Sequence, residues 1–115
     1  MSAENDLKKV KVSSGDLVIG IASSGTTPYV LQALKYSKKN GCKTVFLICN
    51  KSFKNSFDFD VIILVDVGQE VIAGSTRMKS GTATKMILNM ISTTTMVKIG
   101  KVYDNLMICL LYTSP

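Results

Sequence analysis

Leu17-Val18-Ile19-Gly20-Ile21-Ala22-Ser23-Ser24-Gly25-Thr26-Thr27-Pro28 is the stretch on which the fold turns. Its first five residues are a near-continuous apolar run of strand length, the pattern of a parallel strand buried on both faces. The run gives way to small hydroxyl residues around Gly25 and then to Pro28. Proline at a first helical position, with threonine before it, marks a helix start. A strand, a tight loop and a helix therefore follow one another without a break.

Downstream, Val30, Leu31, Ala33 and Leu34 lie on one broad face of a helix running to Asn40. Lys35, Lys38 and Lys39 gather near its end, where cations complement the helix dipole. Asn40-Gly41 supplies the stop. Thr44–Cys49 reads as a second buried strand, a βαβ unit's length after the first. Asn50–Asp60 is mixed polar and aromatic and reads as a loop, and Val61–Val65 is the third strand.

From Gly74-Ser75-Thr76 to Ile99 only Gly81 interrupts a helical pattern. Met78, Thr82, Met86, Met90 and Val97 recur at three, four or seven residues. This predicts a long helix whose methionines fill a core, with burial offsetting the weak propensity of its β-branched residues. Upstream, residues 1–14 form a polar, lysine-bearing arm or short helix. Alternating strands and helices give an α/β fold: an open parallel sheet of about three strands flanked by helices and ending in a long helix.

Composition narrows the function. The chain has 115 residues, 46% of them hydrophobic and 19% charged, enough for one core and too few for two domains. No apolar run approaches the ~20 residues of a membrane span. The N-terminal residues are polar and acidic, unlike a secretory signal, so the protein is expected to stay in the cytoplasm. The net charge of +6 comes from dispersed lysines with no interleaved aromatics, which points away from nucleic acid and toward a small anionic ligand. Cys42, Cys49 and Cys109 form no CxxC pair, and histidine is absent, so no metal site or Cys/His nucleophile is expected.

Two hydroxyl-rich loops carry the chemistry. Ser23, Ser24, Gly25, Thr26 and Thr27 join a strand to a helix N-terminus, where hydroxyls, backbone N–H groups and the helix dipole suit a phosphate. Simple helix capping accounts for one of these hydroxyls and poorly for four. The second loop, Gly74-Ser75-Thr76-Arg77-Met78-Lys79-Ser80-Gly81-Thr82, repeats the arrangement with two cations. Here Ser75, Thr76 and Lys79 are the candidate phosphate contacts, and an N-cap with solvated charges is the alternative. Neither loop matches GxGxxG or GxxxxGK[ST]. Glu70, just ahead of the second loop, is the one carboxylate candidate for a catalytic or sugar-hydroxyl role, or else a capping carboxylate.

Ile19–Val30 resembles the strand-loop-helix of the N-acetylmuramic acid 6-phosphate etherases, members of the sugar isomerase (SIS) group of phosphosugar-binding domains. Glu70–Lys85 resembles their second signature, and the similarity continues through Leu88–Thr93 and Gly100–Met107. The resemblance implies a C-terminal half of an SIS domain over residues 15–108, with a non-family tail at 109–115. It implies a lyase of cell-wall recycling that splits the lactyl ether of a phosphorylated amino sugar into N-acetylglucosamine 6-phosphate and D-lactate. It further implies no metal or organic cofactor and a homodimeric parent. A non-catalytic SIS module that senses phosphosugars is the related alternative. Thr26 stands where the family pattern leads one to expect arginine. Nothing here resembles the family's N-terminal half, with the glutamates associated with catalysis, so this chain alone is expected to be inactive.

Overall fold

The computed structural model describes residues 2–54, 57–104 and 106–107, which fall into two compact units, 1–80 and 81–115. The tail expected at 109–115 and Cys109 lie outside the described residues. In the first unit the order is α1 (Ala3–Lys9), β1 (Leu17–Ile21), α2 (Pro28–Lys39), β2 (Lys43–Ile48) and β3 (Val61–Leu64). All three strands are parallel in the order β1-β2-β3, with Gly20 beside Phe46 and Phe46 beside Ile62.

One face of the sheet is closed by α2, which packs on β1 and β2. Leu34 and Phe46 are fully buried, and Ala22, Ile48 and Phe59 join them, with Val18, Val30, Leu31, Phe53 and Phe57 at the margin. Each fully buried large side chain contributes about 1.5–3 kcal/mol. The segment read as a loop supplies much of this core: Phe53 and Phe59 pack on Phe46 with ring centroids 5.4 and 4.9 Å apart. At the start of β2 the Asp60 carboxylate accepts hydrogen bonds from Thr44 N (2.8 Å) and Thr44 Oγ1 (3.1 Å), and Lys38 lies 3.4 Å away. Those donors and that cation hold the carboxyl below its ordinary range, so its stabilising effect is present near neutrality and fades as acid protonates it.

Residues 1–14 are tied to the domain. Ala3 is buried, its N–H donates to Gln32 Oε1 at 3.1 Å, and the Tyr29 hydroxyl donates to Asp6. No disulfide joins Cys42 and Cys49; the buried Cys42 thiol donates to the Ser13 carbonyl at 3.0 Å.

Three sequence expectations are corrected. Central β2 is buried, but Leu17 and Ile21 of β1 are 56% and 41% exposed, and Val61 and Leu64 of β3 are each 49% exposed. Apolar runs do not by themselves guarantee cover on both faces: α2 packs on the face that Val18 and Gly20 of β1 present, and Leu17 and Ile21 alternate to the other face. The long helix, α3, spans Lys79–Lys98, so it starts late in the second loop, after Ser75 and Thr76 and not at them. Its Met86, Met90 and Val97 are more than half exposed, so they are not core filling among the described residues. Beyond α3, β4 (Val102–Tyr103) and β5 (Leu106–Met107) form a short antiparallel pair that periodicity did not reveal.

Gly20 is the point of closest approach between α2 and β1. A Cβ there would lie 2.6 Å from Leu34 Cδ1 and 2.8 Å from Val30 Cγ1. Gly20→Val should lower stability by about 1–3 kcal/mol through overpacking. Thermal unfolding checks this, and an unchanged melting temperature would show that α2 sits farther from the strand.

Candidate functional site

The first hydroxyl loop directly follows β1, and Gln69, at the approach to the second, lines a cleft past β2 and β3; open α/β sheets hold ligands beyond these carboxyl ends. The first is braced from below. Ala22 N donates to Leu47 O at 3.1 Å and Cys49 N to Ser23 O at 3.0 Å, so strand pairing runs on into the loop. Gly25 then turns with φ +78°, in the left-handed region that favours glycine, and its N–H closes on Ala22 O at 3.0 Å. Ser24 Oγ and Thr26 Oγ1 share a hydrogen bond of 3.0 Å, and Thr26 N donates to Ser24 Oγ at 3.2 Å.

Thr27 occupies the N-cap position of α2 but makes no side-chain cap hydrogen bond, and the first turn holds no acidic residue. The capping expected of Thr27 is therefore not what the loop hydroxyls do. The first turn of α2 thus offers its positive end no carboxylate of its own, while Asp6 of α1 meets the Tyr29 hydroxyl and Glu4 shares a cleft with Thr26 and Pro28. Ser24, Thr26 and Thr27 are all exposed beside that helix end.

The second loop differs. The Glu70 carboxylate accepts from Lys79 N at 2.9 Å and from Ser80 N at 3.0 Å, which caps α3 across the whole loop. These N–H donors, with the Lys79 charge, hold the Glu70 carboxyl below its ordinary range. Of the two readings of Glu70, the capping carboxylate describes its contacts. Ser75 is half-buried and Thr76 exposed, but neither hydroxyl sits at the cap. The Lys79 ammonium donates to the Gln69 carbonyl.

Residues that the sequence reading did not single out complete the region. A cleft of about 290 Å³ is lined by Cys49, Asn50, Lys51, Ser52, Asp66, Gly68 and Gln69, all just past the ends of β2 and β3. Asn50 Nδ2 donates to Ser24 O at 3.0 Å, and Phe53 packs so tightly on Gly25 that a Cβ there would meet its ring at 2.6 Å. Asp66, 3.8 Å from Lys51, is a carboxylate in the wall of this cleft. The signal that could have found them is position: Asn50 and Asp66 directly follow the second and third apolar runs.

The SIS domain pattern matches residues 4–94, over three-quarters of the chain. The chain belongs to the SIS domain family. The match begins within α1, earlier than the boundary expected at residue 15. Among curated relatives, the chain is 62% identical over 106 residues to the N-acetylmuramic acid 6-phosphate etherase of Pseudothermotoga lettingae, covering 91% of this chain and 35% of that protein. It is 57% identical over 103 residues to the Bacillus subtilis etherase of the same name, covering 90% of this chain and 34% of that one. The Mycoplasma mycoides etherase is 53% identical over 109 residues, 95% of this chain and 36% of its own length. The chain thus spans about a third of the length of the curated relatives it matches. Among the described residues no helix is long and apolar enough to cross a membrane, and no cluster of three or more His, Cys, Asp or Glu could hold a metal ion.

This SIS chain depends on Gly25 for the shape of its first loop. Gly25→Ala should cost about 1–2 kcal/mol from the left-handed backbone alone, with the Phe53 contact adding to it. Chemical denaturation measures the loss, and a variant as stable as the original would show that the loop relaxes freely.

Proposed function

We propose that this chain builds part of a phosphosugar site, with the phosphate of a 6-phosphorylated amino sugar resting on residues 23–27. The observation that carries this reading is the uncapped α2 N-terminus beneath exposed Ser24, Thr26 and Thr27. An anion there meets hydroxyl donors and a helix dipole that no carboxylate of the helix's own first turn offsets. Ser75 and Thr76 of the second loop, with the cleft residues Asn50 and Lys51, are proposed to face the sugar.

The names of the relatives extend the proposal to an N-acetylmuramic acid 6-phosphate etherase. Elimination of the lactyl ether needs a base at the carbon beside the aldehyde and an acid at the departing oxygen. The chain has no histidine. Glu70 is committed to α3, and Asp66 accepts from Gly68 N at 3.0 Å beside Lys51. Two correctly poised groups are thus not at hand, and the reaction is proposed to need carboxylates outside this chain.

Calorimetry with N-acetylglucosamine 6-phosphate tests the binding reading. Ser24→Ala and Ser75→Ala should each weaken binding by about 1.5–3 kcal/mol, the range for a hydrogen bond to a charged group. Unchanged affinity in both variants would reject the site.

A second measurement concerns catalysis. The 115-residue chain should release no D-lactate from N-acetylmuramic acid 6-phosphate, while the same chain joined to the N-terminal part of a relative should. Turnover by the short chain would redirect attention to Asp66 and Glu70. A joined protein that binds the sugar but never releases lactate would favour a sensing module.

A further inference from the structure

The segment between β3 and α3 is pinned at its neck. Glu70 Oε1 and Oε2 hold the N–H groups of Lys79 and Ser80, and the Lys79 side chain reaches back to Gln69 O, so three hydrogen bonds join residues nine or ten apart. Within the closed segment Ser75 N donates to Ile72 O at 3.0 Å, and Gly74 turns with φ +83°. Gln69 also lines the cleft past β2 and β3, so the neck is fastened at the wall of that cleft. Val71, Ile72 and Met78 of the same segment are 73%, 69% and 62% exposed. Apolar packing therefore does little to shape it, and the polar neck is the main restraint on its backbone.

We propose that Glu70 is a positioning residue: its carboxylate closes the neck and thereby sets the backbone that presents Ser75 and Thr76 to the ligand. Both of its oxygens are occupied by backbone donors, which suits a clamp and not a proton carrier. It also fills the anion position of α3, which steers an external phosphate toward α2. This inference rests on the phosphosugar reading and deepens it.

The test is a double-mutant cycle on the full 115-residue chain, with N-acetylglucosamine 6-phosphate as the probe. Glu70→Ala should weaken binding about tenfold, as expected when a hydrogen bond to the probe is lost. Glu70→Gln keeps one acceptor oxygen and should fall between. The decisive readout is coupling: Ser75→Ala should cost little more in the Glu70→Ala background, because the hydroxyl is no longer held in place. Full additivity, or unchanged binding in Glu70→Ala, would overturn the assignment. A Glu70→Ala chain that binds the probe more tightly would overturn it too, showing competition for the α3 N-terminus. If the original chain binds no probe, the phosphosugar reading fails by itself. Glu70 is then judged on the Ser75 and Thr76 amide resonances, which should move in Glu70→Ala; unmoved resonances overturn the clamp.

Discussion

A helix comes closest to a strand where a side chain is missing between them, and α2 meets β1 in this way at Gly20. Leu34 and Val30 occupy the space that a Cβ would take. This contact sets the depth of α2 on the sheet, and with it the position of the first turn of α2 over the end of β1. The uncapped helix terminus and its hydroxyl loop are placed by a packing constraint in mid-strand. On β2, beside Gly20 in the sheet, Phe46 is fully buried, and Phe53 and Phe59 pack on its ring.

Two loops of similar composition are held by different physics. Residues 23–27 are held by backbone pairing carried past the strand, by Asn50, and by the Phe53 ring against Gly25. All of these act from behind and leave the hydroxyl side open. Residues 70–80 are held by an internal ion at the helix N-terminus, which uses the donors that the first loop leaves available. Similar sequences at helix starts can thus differ in which anion they accept, because a carboxylate within the loop competes with any ligand for the same N–H groups.

Asp60 shows a related economy at the opposite end of the strands. It satisfies Thr44 N and Oγ1 at the start of β2 and takes the charge of Lys38 from the last turn of α2. One carboxylate therefore joins helix, central strand and the approach to β3 at the end away from the first hydroxyl loop.

Residues Leu17–Pro28 by themselves determined the strand, the loop and the helix start, because an apolar run, a cluster of small residues and a proline each restrict local backbone independently of context. The two hydroxyl loops, the parallel sheet and the family resemblance were legible for the same reason. Tertiary structure alone decided which loop keeps an open N-terminus, since Glu70 and the turn it caps are separated by a whole loop. It also decided that Asn50, Phe53 and Asp66 converge on the first loop and the cleft, and that Leu17 and Ile21 of β1, Val61 and Leu64 of β3, and Met86, Met90 and Val97 of α3 remain exposed. Periodicity records what a side chain could bury, whereas burial requires an opposing surface that only the folded chain can supply.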